Sequence, residues 1–296
     1  MRIVVASALL LVACGSPSRA GGGDSGAVDA PGTGRDAPTG THDAIDDGCG
    51  GVPNCYSVYA HSDNTLYVID LATKALHTVG PFNAPPAGST THDVITDLAV
   101  APDGTIWAVS ETALYTASAA DGHVTKHGSL SACGQRAVAL TFTPAGKLYT
   151  GDFKGAICAI DISGATPVVG APVTLSNGLA LSGDLVAVGD GTVFGTLYKL
   201  SDASGHGTQI SNVLGKIDLA TGQVTSLGAT GFPKLFGVSF ANGKVIGFTH
   251  DGTGHAVELD PTTGVGSVYA TFLDPTTQMG ISFAGAGVNA LVPIIQ

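Results

Sequence analysis

Apolar residues in this chain alternate with small or polar ones in short runs, and Gly, Asp and Pro cut the runs apart. In five of them the alternation puts two bulky residues on one face: Leu98/Val100, Leu140/Phe142, Leu179/Leu181, Val238/Phe240 and Ile281/Phe283. A period of two is that of a strand with one face buried, and the 3.6-residue spacing of an amphipathic helix appears nowhere. The five runs belong to one recurring phrase: "DLAVAPDG" (97–104), "ALTFTPAG" (139–146), "GLALSGD" (178–184), "GVSFANG" (237–243) and "GISFAGAG" (280–287). A second phrase falls between them, as "IDLATKALHTVG" (69–80), "AIDISGATPVVG" (159–170), "IDLATGQVTSLG" (217–228) and "LDPTTGVGSVYA" (259–270), and residues 58–80 align without a gap on 106–128.

Each unit reads as a strand, a tight turn such as Pro102-Asp103-Gly104, a second strand, a looser loop, a third strand, a tight turn such as Ala220-Thr221-Gly222, and a fourth strand. One such sheet cannot bury either face alone, so five of them pack face to face in a ring. The expectation is an all-β fold, a five-bladed β-propeller of four-stranded antiparallel blades over 55–296. The phrases resemble the repeats of NHL, YVTN and strictosidine-synthase-like propellers across nearly all of 56–296. For closure, the run at 280–284 is expected to be the first strand of the blade that 57–80 completes. Both "VNALVPI" (288–294) and "SVYAHS" (57–62) then read as its second strand, and one must lie elsewhere. In the fourth blade, 191–212 is expected to enlarge the loop between second and third strands.

The N-terminal segment has a different character. Arg2 precedes a small and apolar run, Ile3 to Ala13, that ends in Leu11-Val12-Ala13-Cys14. The run is well short of the roughly 20 apolar residues a membrane span needs. It resembles a bacterial lipoprotein signal (1–13), and the resemblance implies cleavage before Cys14 and lipidation of that residue. Several acyl chains on one residue anchor firmly. Gly15 after the cysteine implies sorting to the outer membrane, with the protein on the cell envelope. Residues 14–54 are rich in Gly, Ser, Pro and Asp with no aromatic residue, a composition that cannot bury enough surface to fold and reads as a disordered linker.

With Cys14 set aside, Cys49, Cys55, Cys133 and Cys158 remain, an even number in an oxidising compartment. The natural pairing is Cys49 with Cys55 and Cys133 with Cys158; no C-x-x-C zinc spacing is present. A net charge of −11 with only 12 Lys and Arg excludes a nucleic-acid partner of the phosphate-binding kind. Membrane attachment is left to the lipid.

In a meander the short turns share one end of the ring and the long connections the other, and loops on a rigid scaffold are where binding residues concentrate. The long connections are 81–94, 129–136, 191–212, 229–235 and 271–277. The ends of the second strands are expected to bring His61, Asp63, Glu111, Asp152, Asp190, His250 and Asp251 to that end, with His92 and Asp93 from the connection before blade two. Such carboxylates and imidazoles can hold a divalent ion such as calcium, or serve turn chemistry, which Asp190-Gly191 and Asp251-Gly252 suit. "SNGLALSGD" (176–184) resembles the phrase by which gluconolactonase-like propellers place an asparagine on a central metal, and the resemblance implies that role for Asn177. No nucleophile elbow, P-loop or H-E-x-x-H motif is present. The expected function is a lipid-anchored binding or scaffolding module for a protein, peptide or glycan. A metal-dependent hydrolase and a purely structural envelope protein are the alternatives.

Overall fold

The computed structural model describes residues 57–83, 93–130, 133–134, 136–200 and 212–291. Blade one holds β1 (Val58–His61), β2 (Thr65–Asp70) and β3 (Ala75–Pro81); blade two holds β4 (Ile95–Val100), β5 (Ile106–Ser110), β6 (Ala113–Ala117) and β7 (Val124–Ser129). Blade three is β8 (Ala137–Phe142), β9 (Leu148–Asp152) and β10 (Ala156–Asp161), with an outer strand split into β11 (Val168–Val169) and β12 (Val173–Thr174). Blade four follows as β13 (Leu179–Ala187), β14 (Val193–Lys199), β15 (Val213–Ile217) and β16 (Val224–Ala229), and blade five as β17 (Leu235–Ala241), β18 (Lys244–Thr249), β19 (His255–Leu259) and β20 (Gly266–Thr271). β21 (Gly285–Gly287) returns to blade one and pairs with β1, giving the order β21-β1-β2-β3. The chain is a five-bladed β-propeller of antiparallel blades.

Closure answers the ambiguity at the C-terminus. β1 is the second strand of blade one, between β21 and β2. The innermost strand is 285–287 rather than 280–284, which corrects the sequence-based assignment. Ile281 and Phe283 are buried as expected but precede the strand. Beyond it, Asn289 leaves blade one and lies parallel to Val100 of β4. Its buried amide donates to Ala101 O (2.7 Å) and Pro102 O (3.3 Å), so the tail ties blade one to blade two at the short-turn end.

The core lies between blades, as two-faced sheets require. Leu98, Val100, Ile106 and Tyr115 of blade two pack with Tyr59 and Leu66 of blade one; Leu185, Leu197 and Ile217 of blade four pack with Ala139 and Ile157 of blade three. The recurring phrase ends in glycine for a reason of packing. A Cβ on Gly80, at the end of β3, would sit 2.1 Å from Asp121 O in the next blade's outer turn, and one on Gly228 would sit 2.2 Å from Thr263 O. The seam between blades five and one is built differently, with Ala270 in the corresponding place. There the Tyr269 hydroxyl donates to Leu71 O (2.6 Å) and Lys74 Nζ donates to Tyr269 O (2.8 Å). Cys133 and Cys158 form a disulfide that fastens the connection before blade three to β10. A link closing a loop of this separation, 25 residues, stabilises by about 3.5 kcal/mol. Cys14, Cys49 and Cys55 lie outside the described residues.

Blade four brings a second correction. β13 runs from Leu179 to Ala187 as one strand, with its register broken between Leu181 and Leu185. The pairings Leu185↔Gly195 and Ala187↔Val193 match Leu98↔Ala108 and Val100↔Ile106 of blade two. The phrase "DLVAVGDGT" (184–192) is therefore the true counterpart of "DLAVAPDGT" (97–105). Asp190 accordingly lies in the turn after the first strand, not at the end of the second. Its carboxylate accepts the Thr192 amide (2.8 Å), as Asp103 accepts that of Thr105 (2.9 Å). The long connection of this blade is 200–212 rather than 191–212.

Candidate functional site

The innermost strands turn one backbone edge toward the ring's axis, so each carries amides that no neighbouring strand can take. Equivalent positions around the axis read Asp97, Ala139, Asp184, Gly237 and Gly285, each followed by one of five amides, those of Leu98, Leu140, Leu185, Val238 and Ala286. Asp97 Oδ2 accepts the Leu140 amide (2.6 Å) in the next blade, and Asp184 accepts those of Leu185 (2.5 Å) and Val238 (2.6 Å). The amides of Leu98 and Ala286 add their favourable fields to Asp97 and Asp184 respectively. By hydrogen bonds the two carboxyl groups thus serve blades three, four and five, and their fields reach the amides of the other two. Leaving a buried amide unpartnered costs about 1–3 kcal/mol, so this hub holds the ring together from its axis.

Both hub aspartates are fully buried. Burial raises the pKa of Asp97 well above the usual carboxylate range, and the charge of Asp184 raises it further. Burial likewise raises Asp184, against the pull of its amide donors. The pair therefore keeps a proton to higher pH than free carboxyl groups do. His61, also buried, has its pKa lowered to about 4, chiefly by burial and further by the field of His250, while the Ser62 carbonyl opposes the shift. Its Nδ1 donates to that carbonyl (2.9 Å), which leaves Nε2 as the acceptor. Among the described residues His61 Nε2 has no hydrogen-bond partner, and it and Asp97 Oδ1 both lie within 2.5 Å of where a Cβ on Gly285 would stand. Glycine at 285 is what lets them approach the axis.

One register step toward the long connections, the ring reads Thr96, Val138, Gly183, Phe236 and Ala284. These residues floor a cavity of about 140 Å³, completed by Val94, Ile95, Phe153 and Ser182, with Asp63, Glu111, Arg136 and His250 at its rim. The floor is largely apolar. Glu111 and Arg136 form an ion pair, and the Arg136 guanidinium lies 5.5 Å from the centre of the Phe153 ring. Across the mouth Phe236 and the His250 imidazole stack at 4.7 Å and 13°, and His250 Nδ1 is 3.1 Å from Phe283 O.

Of the residues singled out from sequence, Asp63, Glu111 and His250 line this mouth, and His61 lies buried within the ring. Asp152 is buried, and its Oδ1 accepts the amides of Lys154 (2.9 Å) and Ala156 (2.7 Å), shaping the turn between β9 and β10. Asp93 sits beside blade two. Burial opposes its ionisation, but hydrogen bonds from Tyr115, Lys126 and Ser110 outweigh burial and hold its pKa below the usual value. Asp251 closes its own turn by accepting from the amide (3.0 Å) and hydroxyl (2.6 Å) of Thr253. Asn177 is exposed in the short 3-10 turn Ser176–Gly178, in the left-handed conformation (φ 62°), and does not line the mouth. Asp190 is at the opposite end of the ring, and His92 lies outside the described residues. Among the described residues no three His, Cys, Asp or Glu side chains group closely enough to hold a metal ion.

Sequence reasoning missed Arg136, Phe153 and Phe236, which make the mouth's walls, and the hub pair Asp97 and Asp184. The hub had a signal: aspartate opens both "DLAVAPDGT" and "DLVAVGDGT". Arg136 and Phe153 had none, because nothing in a connection's composition says which side chain turns inward, and Phe236 stands on β17 one residue before the phrase that begins at Gly237.

No family model and no curated protein matches the chain. Similar solved structures include a chain of a nidogen–laminin complex, at 11% identity over 78% of this chain and 97% of that one, with a TM-score of 0.48. Others are a putative TolB from Agrobacterium tumefaciens (14%, 78% and 80%, TM-score 0.44) and a catalytically inactive virginiamycin B lyase from Staphylococcus aureus with quinupristin (13%, 72% and 66%, TM-score 0.41). At such identities the likeness concerns fold alone.

Proposed function

We propose that this protein is a binding module of the cell envelope, tethered through a lipidated Cys14 and the segment after it, which engages its partner at the long-connection mouth of the propeller. The observation that carries the reading is the contrast along the axis. The hub is filled by buried carboxyl groups that satisfy backbone amides, whereas one register step away an apolar-floored cavity opens under a polar rim. A concave, largely apolar site with a few polar groups on a rigid frame suits recognition. A hydrolytic metal over the channel would need converging ligands, and Asp63, Glu111 and His250 are instead dispersed around the rim, with Glu111 engaged by Arg136.

The test is partner capture by cross-linking on intact envelopes, comparing the wild-type chain with Phe236→Asp at the mouth and Asp190→Asn at the opposite end. The reading expects the cross-linked species to vanish with Phe236→Asp and persist with Asp190→Asn. Equal capture by the mouth variant would contradict it. For the tether, Cys14→Ser is expected to release the protein from membranes, and retention through a carbonate wash would contradict lipidation.

A further inference from the structure

We propose that the mouth receives a single benzene-sized side chain of a partner polypeptide, presented next to a basic group; this rests on the binding reading above. Three observations converge on that occupant. The first is size: the cavity measures about 140 Å³, and an apolar protein cavity of roughly 150 Å³ accommodates benzene. The second is lining, because Ile95, Val138, Phe153, Phe236 and Ala284 give one apolar group contact on several sides. Buried aromatic anchors of this kind dominate interface energetics. A bare sugar ring would set its hydroxyls against these walls without partners.

The third is charge. Four ionisable side chains stand at the rim, and Arg136 is engaged by Glu111. Asp63 enters no ion pair among the described residues, so its carboxylate is the rim charge left to read a ligand. From Cys55 onward the chain carries 17 Asp and Glu against 9 Lys and Arg, and a field of that sign steers cations toward the surface. An aromatic or branched aliphatic residue beside a lysine, an arginine or a free amino terminus satisfies all three conditions.

Titration calorimetry on the full chain with two probes that carry opposite charges on the same phenylethyl frame tests this. 2-Phenylethylammonium is expected to bind saturably, and roughly two- to fivefold more tightly than 3-phenylpropionate, as an exposed charge pair allows. Asp63→Asn is expected to erase that preference while keeping aromatic binding. Val138→Trp fills the floor and is expected to abolish both; Ser182→Tyr fills it from the opposite wall should the first variant fold poorly. No saturable binding of either probe, a preference for the carboxylate, or undiminished binding by a folded filled variant would overturn the proposal. Failure here with capture still lost in Phe236→Asp would sink only the occupant. Capture that ignores Phe236→Asp would sink the binding reading itself.

Discussion

The hub and the mouth are adjacent rings on the same five strands, one residue apart, and they are put to opposite uses. At the hub the ring reads Asp97, Ala139, Asp184, Gly237 and Gly285: two carboxyl groups and three residues small enough to let them reach across the axis. At the mouth it reads Thr96, Val138, Gly183, Phe236 and Ala284, five unlike residues that leave a cavity. Closing a propeller on its axis is a backbone problem, since five inner edges carry amides, and few side-chain solutions satisfy it. A mouth has no such obligation, and its residues are available for recognition.

The comparison breaks most readily at the hub. Asp184→Ala strips the partners from the Leu185 and Val238 amides; at about 1–3 kcal/mol for each, urea unfolding should show a loss of roughly 2–6 kcal/mol. A loss below about 0.5 kcal/mol, typical of a surface change, would show that the hub does not hold the ring.

The hub's proton gives the next largest effect. The folded pair gives up its last proton at a higher pH than unfolded carboxyls, which ionise near pH 4, so in the interval between the two folding takes up a proton and stability falls as pH rises, by up to about 1.4 kcal/mol per pH unit until the folded pair ionises. His61 works in the other direction. The unfolded imidazole binds a proton below about pH 6.5, whereas the buried one resists until about pH 4. Between those values the two effects offset one another. Melting temperature is therefore expected to be level while both effects act and to decline once the unfolded imidazole has lost its proton, for as long as the folded pair keeps its own. Asp97→Asn, a neutral stand-in for the protonated acid, should flatten the alkaline decline; an unchanged decline would remove the shared proton from the account.

At the mouth, Phe236→Ala removes the stack on His250, worth about 1 kcal/mol of stability, while partner capture is lost. Capture without Phe236 would place the binding surface elsewhere. The smallest change is expected from Ser182→Cys, within about 0.5 kcal/mol of wild type. A larger loss would mean that the mouth, too, is structural.

Much of this was legible in the sequence. Period-two runs, turn residues and the five-fold phrase specify strands, blade count and the end that carries long connections, and the pairing of Cys133 with Cys158 followed from the cysteine count. The phase of the first strand was not secure in two blades. Leu179/Leu181 and Ile281/Phe283 alternate as an inner strand should and are buried. Yet the axis is lined by Asp184–Ala187 and by Gly285–Gly287, because alternation alone has no starting point and small residues specify register weakly. The slip in blade four carried Asp190 to the wrong end and hid Asp184. Carboxylates and imidazoles are easy to nominate from type. The Phe153 wall depends on how a connection folds back, which no local pattern encodes, and the Phe236 wall on the register of β17.

Fully buried Asp97 and Asp184 seal the axis at the hub, so that solvent and ligand enter from the mouth. Amide hydrogen exchange at Leu140, Leu185 and Val238, followed by NMR, addresses this directly. Amides bonded to buried carboxyl groups should exchange as slowly as those in the middle of the blade ladders. Exchange at the rate of exposed amides, with the ladders still protected, would mean that water fills the channel from end to end and would contradict the account.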